Sequence, residues 1–226
     1  MSDFFNKDLS HAYDEKNRRL APIADNMHFL IRLVLENLPD NARILCVGVG
    51  TGAEVLSLAE HYPTWSFVGV DPSAAMLEVC QQRLKSASII DRCQLIHGYV
   101  QDAPKGANFD AALSVLVGHF VPREERADFY QNMLRRLRSG GYFVNTEISF
   151  DLDSNAFPSM LENWARIQKL MGATPESIQS LPTVLRDTLS VLAPDEIEGL
   201  FEASGISVPV RFFQSFMISG WYGKKE

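Results

Sequence analysis

The segment Arg43-Ile-Leu-Cys-Val-Gly-Val-Gly-Thr-Gly-Ala-Glu54 constrains this chain more than any other. Ile44 to Val47 form an unbroken apolar run, the pattern of a central parallel strand covered on both faces. Gly48, Gly50 and Gly52 follow in G-x-G-x-G spacing. Without Cβ atoms, such a turn can bend sharply and bring its backbone close to a ligand above the strand end. Asp71 lies nineteen residues after Gly52, at the end of a second apolar run, Ser66 to Val70. A carboxylate there can accept both hydroxyl hydrogens of a ribose. The expectation is a nucleoside-containing cofactor at the carboxyl ends of two neighbouring strands.

The rest of the chain alternates strand and helix. Met27, Leu30, Ile31, Val34, Leu35 and Leu38 recur at helical spacing before Pro39. Val55, Leu58, Ala59 and Tyr62 mark a crossover helix ended by Pro63, and Ser73 is placed to cap a helix with Leu77, Cys80 and Leu84 inward. Strands are expected at Gln94 to His97, Phe109 to Val117 and Tyr142 to Ile148. Between the last two, a helix opening at Pro122 carries Ala127, Tyr130, Met133, Leu134 and Leu137 and stops at Ser139-Gly140-Gly141. Arg135, Arg136 and Arg138 then offset the negative end of that helix. This is the pattern of an α/β, Rossmann-like, mostly parallel sheet.

Residues 151–192 break the alternation with a helical insertion striped by Phe157, Leu161, Trp164, Ile167 and Met171. A helix from Pro194 to Gly205 follows, and Ser207 to Phe213 and Ser215 to Tyr222 read as an antiparallel strand pair. One domain, 1–226, is expected: an N-terminal helical cap (1–42), a cofactor-binding core (43–150), the insertion or lid (151–192), and the C-terminal helix and strand pair (193–226). The aromatic surplus of residues 150–221 suggests a lid over an apolar pocket, with Trp164 and Phe213 the selected pocket residues.

Composition limits the partners. The formal net charge of −7 disfavours generic nucleic-acid binding, which needs clustered Lys and Arg. Lys224 and Lys225 read as a solvated tail. No apolar run has the length of a membrane span or signal core. Cys46, Cys80 and Cys93 are odd in number, widely spaced and lack a C-x-x-C pair, so neither a disulfide framework nor a metal site is expected, and a reducing cytoplasm fits.

Gly48-x-Gly50-x-x-Ala53 also satisfies the dinucleotide fingerprint, so the turn alone leaves a nicotinamide oxidoreductase open. S-Adenosylmethionine is favoured because Gly52 completes G-x-G-x-G, a long helical stretch precedes the first strand, and a strand pair ends the chain. With these features the chain resembles the class I S-adenosylmethionine-dependent methyltransferases over residues 13–222, most closely over 43–147. The resemblance implies that Gly48, Val49 and Gly50 contact the methionine portion, that Asp71 holds the ribose, and that Pro72 and Met76 lie by the adenine. Tyr99 and Val100 fall where many relatives carry Asp and an apolar residue, and Tyr99 would flank the adenine instead, with Asp102 an alternative. Ser114 lies in the exit of the fourth strand, beneath the transferable methyl. Cys46 stands where the family usually has an acid.

The approach to the first strand, Tyr13-Asp14-Glu15 and Arg18-Arg19, resembles that of small-molecule methyltransferases and implies Arg19, or else Arg18, as partner of the cofactor's carboxylate. His119 is the leading candidate for a general base, with Glu147 and Tyr13 behind it. A narrower resemblance, to carboxy-S-adenosylmethionine synthase of tRNA wobble-uridine modification, rests on Arg19-x-x-Pro22, the insertion and Phe212-Phe-Gln-Ser-Phe216. That family's carboxylate-holding arginine aligns with Pro182, and Arg186 follows four residues later. The expected function is methyl transfer from S-adenosylmethionine to oxygen or nitrogen of a small molecule, with homodimerisation through the insertion. The alternatives are the carboxylated-cofactor enzyme and a non-catalytic S-adenosylmethionine-binding protein.

Overall fold

A computed structural model describes residues 19–226; the candidates Tyr13 and Arg18 lie outside them. The elements run α1 (Ala21–Leu35), β1 (Arg43–Val47), α2 (Ala53–His61), β2 (Ser66–Asp71), α3 (Ala74–Ser86), β3 (Cys93–His97), β4 (Phe109–Val115), α4 (Arg126–Leu134) and β5 (Leu137–Ile148). Then come α5 (Phe157–Leu170), α6 (Pro175–Gln179), a helical turn at Leu181–Thr183, a π-turn at Val184–Thr188, α7 (Pro194–Ala203), β6 (Val210–Ser215) and β7 (Ile218–Lys224).

The strands form one seven-stranded sheet in the order β3-β2-β1-β4-β5-β7-β6. The five strands β1 to β5 pair in parallel, while β7 runs antiparallel to both β5 and β6. Alternation of side chains across the sheet divides β1 between two cores. Ile44 and Cys46 pack with α1, α2, α3 and the insertion, whereas Leu45 and Val47 pack with Tyr130 and Met133 of α4 and with Ile197 and Phe201 of α7. The chain proceeds outward from β1 to β3 and then returns to start β4 on the other side of β1. That reversal of direction opens a crevice above the carboxyl ends of β1 and β4, the place where open α/β sheets bind ligands.

The local signals place most elements. Ser73 caps α3 by accepting the Met76 N–H at 3.3 Å, and Leu77, Cys80 and Leu84 are buried as the spacing requires. Four expectations need correction. The helix opening at Pro122 begins with a 3₁₀ turn, Arg123–Glu125, and ends at Leu134; Leu137 and Ser139-Gly140-Gly141 belong to β5. Leu137 pairs with Phe109 and Tyr142 with Ala111, so the extra residues of β5 form a bulge. Gly140 sits there at φ +75°, a conformation that costs glycine little. A glycine pair at a bulge looks locally like a helix stop, and only pairing with β4 separates the two.

The adjacent arginines are correspondingly different. Arg136 is buried, and its guanidinium donates to the carbonyls of Asn132, Gln101 and Ala103, tying α4 to the loop after β3. Arg138 leaves β5 to pair with Asp110 at 2.6 Å. Nor is the C-terminus a free tail: Lys225 donates from Nζ to the Leu137 carbonyl at 2.8 Å, and Lys224 lies over the Tyr142 ring. Finally, Trp164 and Phe213, the expected pocket residues, are buried in the same hydrophobic cluster as α1. Among the described residues no helix is long and apolar enough to cross a membrane.

Candidate functional site

Above β1 the chain turns through Gly48, Gly50 and Gly52 at φ +69°, +52° and +81°. A Cβ on Gly48 would collide with the Val117 side chain, so both dihedral and space demand glycine there. The turn hangs on the end of β2: the Gly48 and Val49 amides donate to the Val70 carbonyl at 2.7 and 3.1 Å.

Asp71 completes this support. Its Oδ2 accepts the Gly50 N–H and its Oδ1 the Ser73 N–H, each at 2.8 Å, so one carboxylate pins the glycine turn and the start of α3. Burial pushes its pKa up, and the two amide bonds oppose that shift. Each carboxylate oxygen carries two lone pairs, so acceptor capacity remains after both amides are satisfied.

Two cavities flank the turn and share Gly48. The first, about 340 Å³, is lined by Pro72, Tyr99, Val100, Gln101, Val117 and Phe129 among others. The second, about 570 Å³, lies between the turn and α1 and is more highly charged, with Asp25, His28, Arg32, Glu54, Glu60 and Arg83 among its walls. The structure thus brings Gly48, Val49, Gly50, Pro72, Tyr99 and Val100 together around the crevice. Tyr99 is half exposed, and its backbone N–H donates to Asp102 Oδ2 at 2.8 Å. Asp102 is therefore engaged in its own turn and lines neither cavity.

Other expected residues lie elsewhere. Met76 is buried in the first turn of α3, and Ser114, buried in β4, has no hydrogen-bond partner for Oγ among the described residues. Neither lines a cavity. Arg19 is exposed and donates from Nη1 to the Leu170 carbonyl at 3.1 Å, which places it at the end of α5, outside both cavities.

His119 also stands back from the crevice. It is 3% exposed, and its Nδ1 accepts the Ile148 N–H at 3.2 Å, which leaves the ring proton on Nε2. Burial, with Arg126 adding to it, pushes its pKa down to about 3, so the ring is neutral at physiological pH and a poor proton acceptor. The buried Arg126–Glu147 ion pair beside it is completed by Tyr130 Oη and Asn145 Nδ2, which donate to Glu147 Oε1 at 2.6 and 2.7 Å. Arg126 also donates to the carbonyls of Val121 and Ser190, joining the cavity wall to the end of the insertion. Gly118 leaves room for this carboxylate, since a Cβ there would lie 2.7 Å from Glu147 Oε1. Glu147 thus supports the loop after β4 and lines neither cavity.

Sequence reasoning passed over the cavity walls contributed by helices. Glu125, Asp128 and Phe129 occupy i, i+3 and i+4 positions along one face as the chain enters α4, a spacing that could have grouped them. Glu54, in the first turn of α2, could have been noticed as an acid directly behind the glycine turn. Among the described residues no group of three His, Cys, Asp or Glu side chains could hold a metal ion.

Comparison with known proteins agrees with this architecture. The family model described as "Methyltransferase domain" matches residues 44–141, from β1 into β5. A carboxy-S-adenosyl-L-methionine synthase from Campylobacter lari is 22% identical over 207 residues, covering 90% of this chain and 86% of that protein. Among solved structures, an O-methyltransferase family protein from Burkholderia thailandensis matches with a TM-score of 0.70 at 12% identity, over 96% of this chain and 60% of the other. PigF, solved with SAH, matches with a TM-score of 0.69 at 17% identity, over 97% of this chain and 60% of its own. At such identities the structural likeness is one of fold. The sheet order, the glycine turn pinned by Asp71 and these matches together establish that the chain has the class I S-adenosylmethionine-dependent methyltransferase fold.

Proposed function

We propose that the protein binds S-adenosylmethionine across the glycine turn and transfers its methyl group to oxygen or nitrogen of a small molecule. One observation carries the reading: two cavities of different character meet at Gly48, the first walled by Pro72, Val100 and Phe129, the second by charged side chains. A ligand with a flat, largely apolar nucleoside end and a zwitterionic amino-acid end fits that pair. Asp71 offers its remaining lone pairs to the ribose hydroxyls, Pro72, Tyr99 and Val100 flank the adenine, and Gly48, Val49 and Gly50 face the amino-acid end.

When bound, the cofactor supplies an electrophilic methyl group on a sulfonium centre. The protein's part is to hold the acceptor in line with that group and to exclude water, effects that can account for much of the rate. His119 acts in this scheme as a positioning residue for the loop after β4, because its ring is neutral, bonded to Ile148 and outside both cavities.

A second reading, synthesis or use of a carboxylated form of the cofactor, is favoured by the Campylobacter relatives, which align with nearly the whole chain. Against it, Arg186 donates to Asp153 and to the Leu152 carbonyl and lines neither cavity. Native mass spectrometry of gently purified protein, followed by titration with S-adenosylmethionine, S-adenosylhomocysteine and carboxy-S-adenosylmethionine, separates the readings. Preference for the unmodified cofactor supports methyl transfer; a copurified or preferred carboxylated form supports the second reading; binding of none refutes both. The same spectra test the expected homodimer, for which the exposed Leu170 at the end of α5 offers apolar surface. We assign the protein to the reducing cytoplasm on its three free cysteines, and we expect neither nucleic acid nor membrane among its partners.

A further inference from the structure

Glu54 is the second residue of α2, directly behind the glycine turn, and lines the larger cavity beside Gly48, Val49 and Gly50. It is 7% exposed. Among the described residues no cation stands within ion-pair distance of its carboxyl. Arg83 of α3 is the nearest positive influence, but its Nη1 is committed to the Thr51 carbonyl and hydroxyl at 3.1 and 2.8 Å. The other ionisable groups that face Glu54 are Asp71 from β2, Cys46 from β1 and Cys80 from α3. Asp25, His28 and Arg32 of α1 and Glu60 of α2 share the cavity.

A carboxyl this deeply buried lacks a counter-charge that a ligand can supply. We infer that Glu54 receives the ammonium group of the bound cofactor's amino-acid end, an inference that rests on the cofactor reading above. The placement follows from the cavities: with the nucleoside beside Asp71 and Pro72, the other end of the molecule passes Gly48 into the space that Glu54 walls. Arg32 and Arg83 line the same space, so the carboxylate half of the zwitterion also has cationic neighbours.

The free protein is prepared for this exchange. Burial, reinforced by Asp71, pushes the Glu54 pKa up to about 8, so the carboxyl is mostly protonated at pH 7. Pairing with an ammonium favours the ionised form, so binding releases a proton. Affinity therefore rises with pH, by about tenfold per unit from pH 6 to 7.5.

Isothermal titration at pH 7 in two buffers of different ionisation enthalpy tests this. The probes are S-adenosylhomocysteine and 5′-methylthioadenosine, which lacks the amino-acid end. The wild-type protein should release close to one proton with the first and none with the second. Glu54→Gln should bind S-adenosylhomocysteine at least tenfold more weakly with no proton release, while its affinity for 5′-methylthioadenosine stays at the wild-type value. Wild-type affinity and proton release in the variant would overturn the inference, and so would equal losses for both probes, which would mark Glu54 as a structural support. A wild-type protein that binds neither probe would instead overturn the cofactor reading itself.

Discussion

Replacing Asp71 by Asn removes one acceptor from a carboxylate that serves two backbone donors. In the wild-type protein Oδ2 takes the Gly50 N–H and Oδ1 the Ser73 N–H, both at 2.8 Å, in a site that is 7% exposed. The amide oxygen of Asn can keep one bond, but its NH₂ group then faces the other N–H, donor against donor. Loss of a hydrogen bond to a charged acceptor costs about 1.5–3 kcal/mol, and the stranded amide adds to it. Removing the buried charge returns part of that, because burial disfavours ionised Asp71. The balance is a destabilisation of about 2–3 kcal/mol, which lowers Tm by about 4–12 °C for a chain of this size. Circular-dichroism melts would measure the shift, and titration with S-adenosylhomocysteine should show at least tenfold weaker binding. An Asp71→Asn protein that melts within a degree of wild type would refute the pinning of the turn, whatever its affinity. Normal affinity with a lowered Tm would remove Asp71 from the ribose site while leaving its structural role.

Glu147→Gln should destabilise the fold by about 3–5 kcal/mol in denaturant titrations, since it leaves Arg126 charged, buried and unpaired; an Arg126→Met, Glu147→Leu double variant should be less damaged than either single one. Gly48→Ala forces a side chain against Val117 at φ +69° and should abolish S-adenosylhomocysteine binding, with partial recovery on adding Val117→Ala. His119→Asn should keep turnover near the wild-type rate, because Asn Oδ1 can still accept the Ile148 N–H and transfer by positioning needs no proton acceptor; a hundredfold loss of kcat without loss of stability would reinstate His119 as a base. The same variant bears on acid stability. The folded pKa of His119, about 3, lies below its ordinary 6.5, so the unfolded chain binds the extra proton first and the wild-type protein loses stability as pH falls from 6.5 towards 3. Melts across that range should be flatter for His119→Asn.

Several of these expectations could be written from the residues alone, and others could not. The glycine turn and the acid ending the next apolar run point to a nucleoside site because each part is a local requirement: positive φ, close backbone approach, a carboxylate at a strand end. The Ser73 cap and the inward faces of α3 and α5 are legible for the same reason, since hydrophobic spacing reports on one element at a time. The bulge at Gly140-Gly141 reads as a helix stop because the dihedral preference is shared by both structures, and only the pairing of β5 with β4 chooses between them. His119 reads as a base because its position in the chain is at a strand exit; its burial against Arg126 and its bond to Ile148 come from neighbours that the order of residues does not reveal.

By itself, then, the sequence determined the alternation of elements, the class of sheet and the chemistry of the turn, all governed by backbone propensity and periodicity within a few residues. The tertiary structure decided which polar side chains are buried and with what partners. Arg126 with Glu147, Arg136 with the loop after β3, and Glu54, without a counter-ion among the described residues, beside the turn arise from packing between elements distant in the chain. Burial and proximity set the charge state of such groups, and neither quantity exists until the chain has closed on itself.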